Sequence, residues 1–264
     1  MKARENAVRA LAWAVVNFFL PFALMLVIYD SQRHWVDVVR ARVRVAEPRE
    51  WELAWFGIGS EVGLPETPAA WWQRHTSPVL DVVCGAAYLA FVPAFIAAAA
   101  WWRFGRKLPR AGEVMWAMLW LNLAGYATYL VYPAAPPWYA DRYGVGPAVQ
   151  GAVPEAAGAA RFDAALGVTV FANYYGRNAN VFGAIPSLHV GLTFLGALYA
   201  WRFRSLRSAL TALWVTVTFA SVYLNHHYIV DGLVGMGFAA LIFVAMERFA
   251  FSVQPIPGAL SRTT

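Results

Sequence analysis

VLDVVCGAAYLAFVPAFIAAAAW, residues 79–101, is an apolar run of the length that crosses a bilayer. A helix rises about 1.5 Å per residue, so roughly 20 residues span the hydrocarbon layer. Five further blocks of comparable length accompany it, at about residues 11–29, 114–132, 188–203, 209–224 and 229–246. Lipid offers no water to backbone N–H and C=O groups, so a single segment satisfies them only as a helix. The expectation is an all-α fold: a polytopic membrane protein with six transmembrane helices in a bundle, one membrane domain over residues 1–264. The fourth and fifth blocks are short and joined by the tight basic turn Arg202-Phe203-Arg204-Ser205-Leu206-Arg207. There is no internal repeat, low-complexity tract or soluble domain boundary.

Composition agrees. Of 264 residues, 60% are hydrophobic and 14% charged, whereas a soluble domain carries about a quarter charged residues. The net charge of +6 does not mark a nucleic-acid footprint, because the basic residues lie mostly beside the apolar blocks. The single Cys84 cannot form an intramolecular disulfide and reads as a packing residue. Block 11–29, preceded by Lys2, Arg4 and Arg9, is too long for a signal-peptide core and is followed by no small-x-small site. It reads as a retained first span.

Six spans put both termini on one side of the membrane. That side carries 12 basic residues (Lys2, Arg4, Arg9, Arg103, Arg106, Lys107, Arg110, Arg202, Arg204, Arg207, Arg248 and Arg262) against Glu5, Glu113 and Glu247. By the positive-inside rule the termini are cytoplasmic, which implies an inner or plasma membrane location. Two segments then face the periplasmic or extracellular side. Residues 30–78 contain Trp35, Trp51, Trp55, Trp71 and Trp72 and read as an interfacial segment, since Trp favours the headgroup level. Residues 133–186 form an outer loop rich in Pro, Gly, Ala, Asn and Tyr, and a loop of that length is more often functional.

Two outward stretches carry chemistry. In Gly183-Ala184-Ile185-Pro186-Ser187-Leu188-His189, the proline breaks what precedes it and Ser187 can cap a helix, placing His189 in the first turn of the fourth span. That helix start offers free N–H donors to an anion. In Asn225-His226-His227-Tyr228-Ile229-Val230-Asp231, His227 and Asp231 are four apart and share one face of a helix. A carboxylate beside an imidazole fixes its tautomer and stabilises the cation formed when the other nitrogen attacks an electrophile. By topology the starts of the fourth and sixth spans lie on one membrane face, so His189, His227 and Asp231 can converge. On a helix His226 would sit about 100° from His227, at most behind the site. His34 and His75 read as ordinary interfacial residues. Zinc is a rival use of a His-His-Asp set, but the i, i+4 pair is His–Asp and neither Cys nor Glu accompanies it; the expectation is no metal. Ser187 lacks a nucleophile-elbow motif.

Pro186-Ser187-Leu188-His189 and His227-x-x-x-Asp231 resemble the second and third signature motifs of the type 2 phosphatidic acid phosphatase superfamily. Within it the chain is most similar to the inositol phosphorylceramide synthase branch. That similarity rests on Val181-Phe182-Gly183 running into Pro186-Ser187-Leu188-His189, on Tyr223-Leu224-Asn225-His226-His227-Tyr228-Ile229-Val230-Asp231, on Ala135-Pro136-Pro137-Trp138-Tyr139, and on Arg161-Phe162-Asp163-Ala164-Ala165-Leu166-Gly167. It covers roughly residues 114–235. The resemblance implies that His227 is a nucleophile forming a phosphohistidine, that Asp231 orients it, and that His189 protonates the leaving oxygen and then deprotonates the acceptor. It implies no cofactor. It also implies membrane-borne lipid substrates: a phosphoinositol-like headgroup passes from a phospholipid to a lipid alcohol, ceramide-like or diacylglycerol-like.

The chain departs from the phosphatase pattern in its cations. The first phosphatase motif is Lys-x6-Arg-Pro; aligning its Arg-Pro with Ala135-Pro136 puts Thr128 at the lysine, and the arginine opening the third motif falls on Ser221. Arginine is the usual neutraliser of a phosphoryl group. The outward candidates for binding substrate instead are Arg142, Arg161 and Arg177, with Tyr132, Trp138, Tyr139, Asn173, Asn180 and Ser187. The missing pair favours transfer. Hydrolysis of phosphatidate or a polyprenyl phosphate uses the same triad and stands as the alternative, with a non-catalytic lipid-binding protein as a third reading.

Overall fold

The structure, a computed structural model, describes residues 2–59, 63–149 and 151–249; Arg262, one of the basic residues weighed above, lies outside them. The α-helices among the described residues are α1 Lys2–Ser31, α2 Val36–Val39, α3 Ala46–Phe56, α4 Pro68–Arg74, α5 Pro78–Ala100, α6 Val114–Val131, α7 Pro137–Tyr143, α8 Ala160–Leu166, α9 Val170–Tyr175, α10 Leu188–Arg202, α11 Arg207–Tyr223 and α12 Ile229–Arg248. One ladder departs from the all-helical expectation: β1 Ile58–Gly59 pairs antiparallel with β2 Pro65–Glu66. It lies outside the apolar blocks, where an open strand edge is tolerated.

Four stretches among the described residues are long and apolar enough to cross a membrane: Ala12–His34, Pro78–Gly105, Ala111–Val131 and Ile229–Arg248. The blocks at 188–203 and 209–224 form α10 and α11, of 15 and 17 residues, which fall short of that length. The reason is visible in the packing. α10 lies against α5, α6, α11 and α12 and buries most of its residues, including Gly191, Thr193 and Gly196. A helix wrapped by protein has little need of lipid-facing leucines.

Local chemistry sets the helix starts. Pro78 occupies the first turn of α5, where its missing N–H costs nothing. The Thr67 side chain accepts from Ala70 N at 3.2 Å to cap α4, and Ser187 Oγ accepts from Val190 N at 3.3 Å to cap α10. Lipid is as apolar as the side chains themselves, so close packing rather than escape from water holds such helices together. One cluster, including Phe18, Phe95, Trp102, Met118, Leu195 and Tyr199, fills the space between α1, α5, α6, α10 and α12. A second, with Tyr88, Phe162, Phe171, Tyr175, Tyr223 and buried Cys84, joins α5, α8, α9 and α11.

α10 and α12 cross backbone against backbone. A Cβ on Gly235 would stand 2.3 Å from the Ser187 carbonyl oxygen, and one on Gly191 would stand 3.0 Å from the Gly235 oxygen. The same approach lets Ser187 N–H donate to the Asp231 carbonyl at 2.9 Å. At the other end of the bundle, Arg202 Nε lies 2.8 Å from Glu247 Oε2, and Arg110 reaches both Glu113 (2.8 Å) and Glu247 (3.5 Å).

Segment 30–78 folds onto the outer loop. Arg44 N donates to Pro133 O (2.8 Å) and Ala135 N to Arg44 O (3.0 Å), while Ala134 N donates to Phe182 O (3.0 Å) and Ala184 N to Ala134 O (3.2 Å). Three extended strands of chain thus lie side by side. Asn180 Nδ2 also donates to Gln32 Oε1 at 2.9 Å.

The α10–α12 crossing yields a test. Gly235→Ala must push the Ser187 backbone away, so the protein in detergent should melt several degrees lower and lose most of its activity. Gly237→Ala, whose Cβ would meet nothing within 4 Å, should leave both unchanged. Equal behaviour of the two variants would show that the crossing tolerates a methyl group.

Candidate active site

His189 is the second residue of α10 and Asp231 the third of α12, and the glycine crossing brings these two helix starts together. His227 arrives differently. The sequence reading put it on the α12 helix, but α12 begins only at Ile229. Asn225, at φ +62°, ends α11 in the left-handed conformation that asparagine tolerates. The N–H groups of His226 and His227 then both donate to Ser221 O at 3.0 Å, and Trp138 N donates to Asn225 O at 3.2 Å. Ser221, where phosphatases carry an arginine, therefore holds the histidine pair through its carbonyl.

His227 Nδ1 lies 3.3 Å from Asp231 Oδ2, the long end of the hydrogen-bond range, and His227 Nε2 lies 3.2 Å from His189 Nδ1. Asp231 is fully buried, and its Oδ2 also accepts from Tyr228 N at 2.9 Å. With the carboxylate accepting from Nδ1–H, the lone pair of His227 is on Nε2, facing His189. Burial pushes the His227 pKa down to about 4, so that lone pair is present at neutral pH. His189 is held by rings, stacked on Tyr88 (centroids 4.5 Å, 15°) with Phe91 at 4.8 Å.

A cavity of about 70 Å³ opens beside the imidazoles. Of the residues singled out from sequence, Trp138, Asn180, His189 and His227 line it, and Asp231 stands behind His227. His226, Tyr175, Asn178 and Glu155 line it too. The side chain of Ser187 is taken up in capping α10. The other candidates lie elsewhere. Arg161 is held by Asp81 (2.6 Å), Gln73 Oε1 (2.9 Å) and the Tyr223 carbonyl (3.1 Å), clamping the end of α11 to α5. Arg142 pairs with Glu155 at the cavity edge. Tyr132 stacks on Trp51, Tyr139 OH accepts from Val149 N, and Asn173 bonds Thr169. Arg177 is exposed. Among the described residues, no lysine or arginine lines the cavity.

One contributor had no sequence signal. Glu52, fully buried in α3, accepts from Ile229 N (3.0 Å) and Val230 N (3.2 Å). These are the free donors at the start of α12. Burial pushes the Glu52 carboxyl up to about 7. A glutamate among interfacial tryptophans looks like any surface acid, and only the folding of segment 30–78 over the loop reveals its target.

Residues 61–245 match the PAP2 superfamily. The chain is 36% identical over 235 residues to phosphoinositol dihydroceramide synthase of Bacteroides thetaiotaomicron, covering 86% of this chain and 75% of that protein. It is 32% identical over 195 residues to inositol phosphorylceramide synthase of Candida albicans, covering 71% of this chain and 40% of that protein. It is 35% identical over 135 residues to the inositol phosphorylceramide synthase catalytic subunit of Schizosaccharomyces pombe, covering 49% and 31% respectively. The chain therefore spans less than half the length of these fungal proteins. No solved structure matches it.

Glu52→Ala would strand two buried N–H groups at the base of the His227–Asp231 turn, each costing about 1–3 kcal/mol. Expected are a lower melting temperature in detergent and at least about a tenfold fall in kcat, which corresponds to 1.4 kcal/mol. Glu52→Gln, which keeps one acceptor oxygen, should fall between. Wild-type kcat in Glu52→Ala would show that the turn holds without it.

Proposed function

The chain belongs to the PAP2 superfamily, and from that premise we propose that it is a lipid phosphotransferase moving a phosphoinositol-like headgroup from a phospholipid to a lipid alcohol. The observation that carries this reading is the cavity itself: a carboxylate-backed imidazole faces a second imidazole, and no cation of the described chain lines the walls. A monoester such as phosphatidate presents a dianion that wants fixed cations. A phosphodiester carries one negative charge and needs less fixed positive charge. The donor and acceptor classes follow from the names of the relatives, phosphoinositol dihydroceramide synthase and inositol phosphorylceramide synthase.

In this mechanism Nε2 of His227 attacks phosphorus in line, and the bond from phosphorus to the diacylglycerol oxygen breaks. His189, which has to enter as the imidazolium, delivers its extra proton to that oxygen and becomes neutral, so diacylglycerol leaves neutral and the headgroup phosphate stays on His227. Asp231 accepts from Nδ1–H and stabilises the charge that the ring acquires. The neutral His189 then takes the proton of the acceptor hydroxyl, whose oxygen attacks phosphorus and frees His227. The 3.2 Å contact between the imidazoles is displaced as the phosphoryl group enters.

We further propose that α1, α5, α6, α10, α11 and α12 form one membrane domain, with cytoplasmic termini in the inner or plasma membrane. The triad then faces the periplasm or exterior. Supporting this, the basic connections before α6 and α11 gather with Glu247 at the end of the bundle away from the histidines.

Two experiments test these readings. Purified protein given phosphatidylinositol and a ceramide or diacylglycerol should form a new phospholipid faster than it releases inositol phosphate, and phosphatidate should be a poor substrate. His227→Ala should yield no phosphorylated protein from labelled donor and no product. Rapid phosphatidate hydrolysis indifferent to any acceptor would make the protein a phosphatase. For topology, in a Cys84→Ala background an impermeant thiol reagent should label Gly146→Cys in intact cells and leave Arg106→Cys unlabelled; the reverse pattern would turn the site to the cytoplasm.

A further inference from the structure

His226 lines the cavity beside His189 and His227, yet the mechanism above does not use it. Its ring lies flat between Tyr175 (centroids 4.5 Å, 12°) and Tyr88 (5.7 Å, 19°) and is 5% exposed. The Ala156 carbonyl bonds the ring, while Nε2 is buried without a partner. The nitrogen facing Ala156 is therefore Nδ1, and a carbonyl can only accept, so Nδ1 carries the proton. Nε2 is left as a bare lone pair on a residue that lines the cavity. Burial pushes the ring pKa well below the usual histidine range, so it stays neutral.

A lone pair cannot bind a phosphoryl oxygen, which is itself an acceptor. It can bind a hydroxyl, and leaving a buried acceptor unpaired is costly. We propose that Nε2 of His226 accepts a hydrogen bond from a substrate hydroxyl and thereby selects a hydroxyl-bearing lipid. The inference rests on the lipid phosphotransferase reading. Two substrates could supply the group: the polyol headgroup of the donor, or the acceptor alcohol before His189 deprotonates it. Asn178 and Glu155, also on the cavity wall, are polar groups of the kind that bind hydroxyls. The stacked tyrosines give the ring its rigidity, so the acceptor is fixed in place before substrate arrives.

The test uses three variants of the full chain in detergent with phosphatidylinositol as donor and a ceramide as acceptor. His226→Phe keeps the aromatic sandwich and His226→Asn keeps a donor for Ala156, but neither offers an acceptor where Nε2 stands. His226→Gln puts an amide oxygen near that place. Each folded loss variant should raise one KM by about tenfold, equivalent to 1.4 kcal/mol, and His226→Gln should recover most of it. A raised donor KM assigns the hydroxyl to the headgroup, and a raised ceramide KM assigns it to the acceptor. If the folded loss variants keep both KM values and lose only kcat or thermal stability, His226 is a packing residue and the proposal fails. A wild type that hydrolyses phosphatidylinositol without transfer would overturn the transferase reading alone, because the donor KM of that hydrolysis still reads the role of His226.

Discussion

Everything at the site depends on how closely α10 and α12 approach. Gly191 and Gly235 remove the two side chains that would hold the helices apart, and Ser187 N–H then reaches the Asp231 carbonyl. A backbone-to-backbone contact between helices in lipid is favoured by small residues, because packing rather than water exclusion drives association. It also fixes two helix starts with little rotational freedom. His189, in the first turn of α10, and Asp231, in the first turn of α12, are placed as a pair by the same crossing.

His227 needs separate support, because it precedes its helix. Three groups provide it, and of these Glu52 is distant in sequence. Ser221 O takes both histidine N–H groups, Asn225 turns the chain through a left-handed residue, and Glu52 takes the first N–H groups of α12. Behind them, Arg161 ties the last carbonyl of α11 to Asp81 and Gln73. The half-buried ion pair and the buried carboxylate of Glu52 hold backbone rather than substrate. That is a different use of charge from a phosphate cradle, and among the described residues it leaves the cavity walls without a lysine or arginine.

This division bears on the proposed chemistry. A phosphoryl group with one negative charge needs less fixed positive charge than a dianion. Asn178, Glu155 and the unpartnered nitrogen of His226 give the same cavity a preference for hydroxyl groups on physical grounds alone. A triad common to hydrolysis and transfer is thus set among walls that suit an alcohol.

What the sequence by itself determined were the features that depend on neighbours along the chain. Apolar blocks become helices because lipid leaves the backbone no other partner, and Ser187 caps α10 because its side chain reaches Val190 N three residues on. The four-residue spacing of His227 and Asp231 marks them as a pair, although His227 meets Asp231 from the turn before α12. Only the tertiary structure decided which polar residues enter the cavity. Arg161, an attractive phosphate ligand in the sequence, proves to be held by Asp81 in α5, while Glu52, which no motif marks, meets the turn, and His226, expected at most behind the site, lines the cavity. It also decided that α10 could be short, since it is enclosed by other helices and meets protein where a longer span would meet lipid. The reason is one of range: capping and spacing act over about one turn of helix, whereas the partner of a buried polar group is chosen by whatever the fold brings beside it.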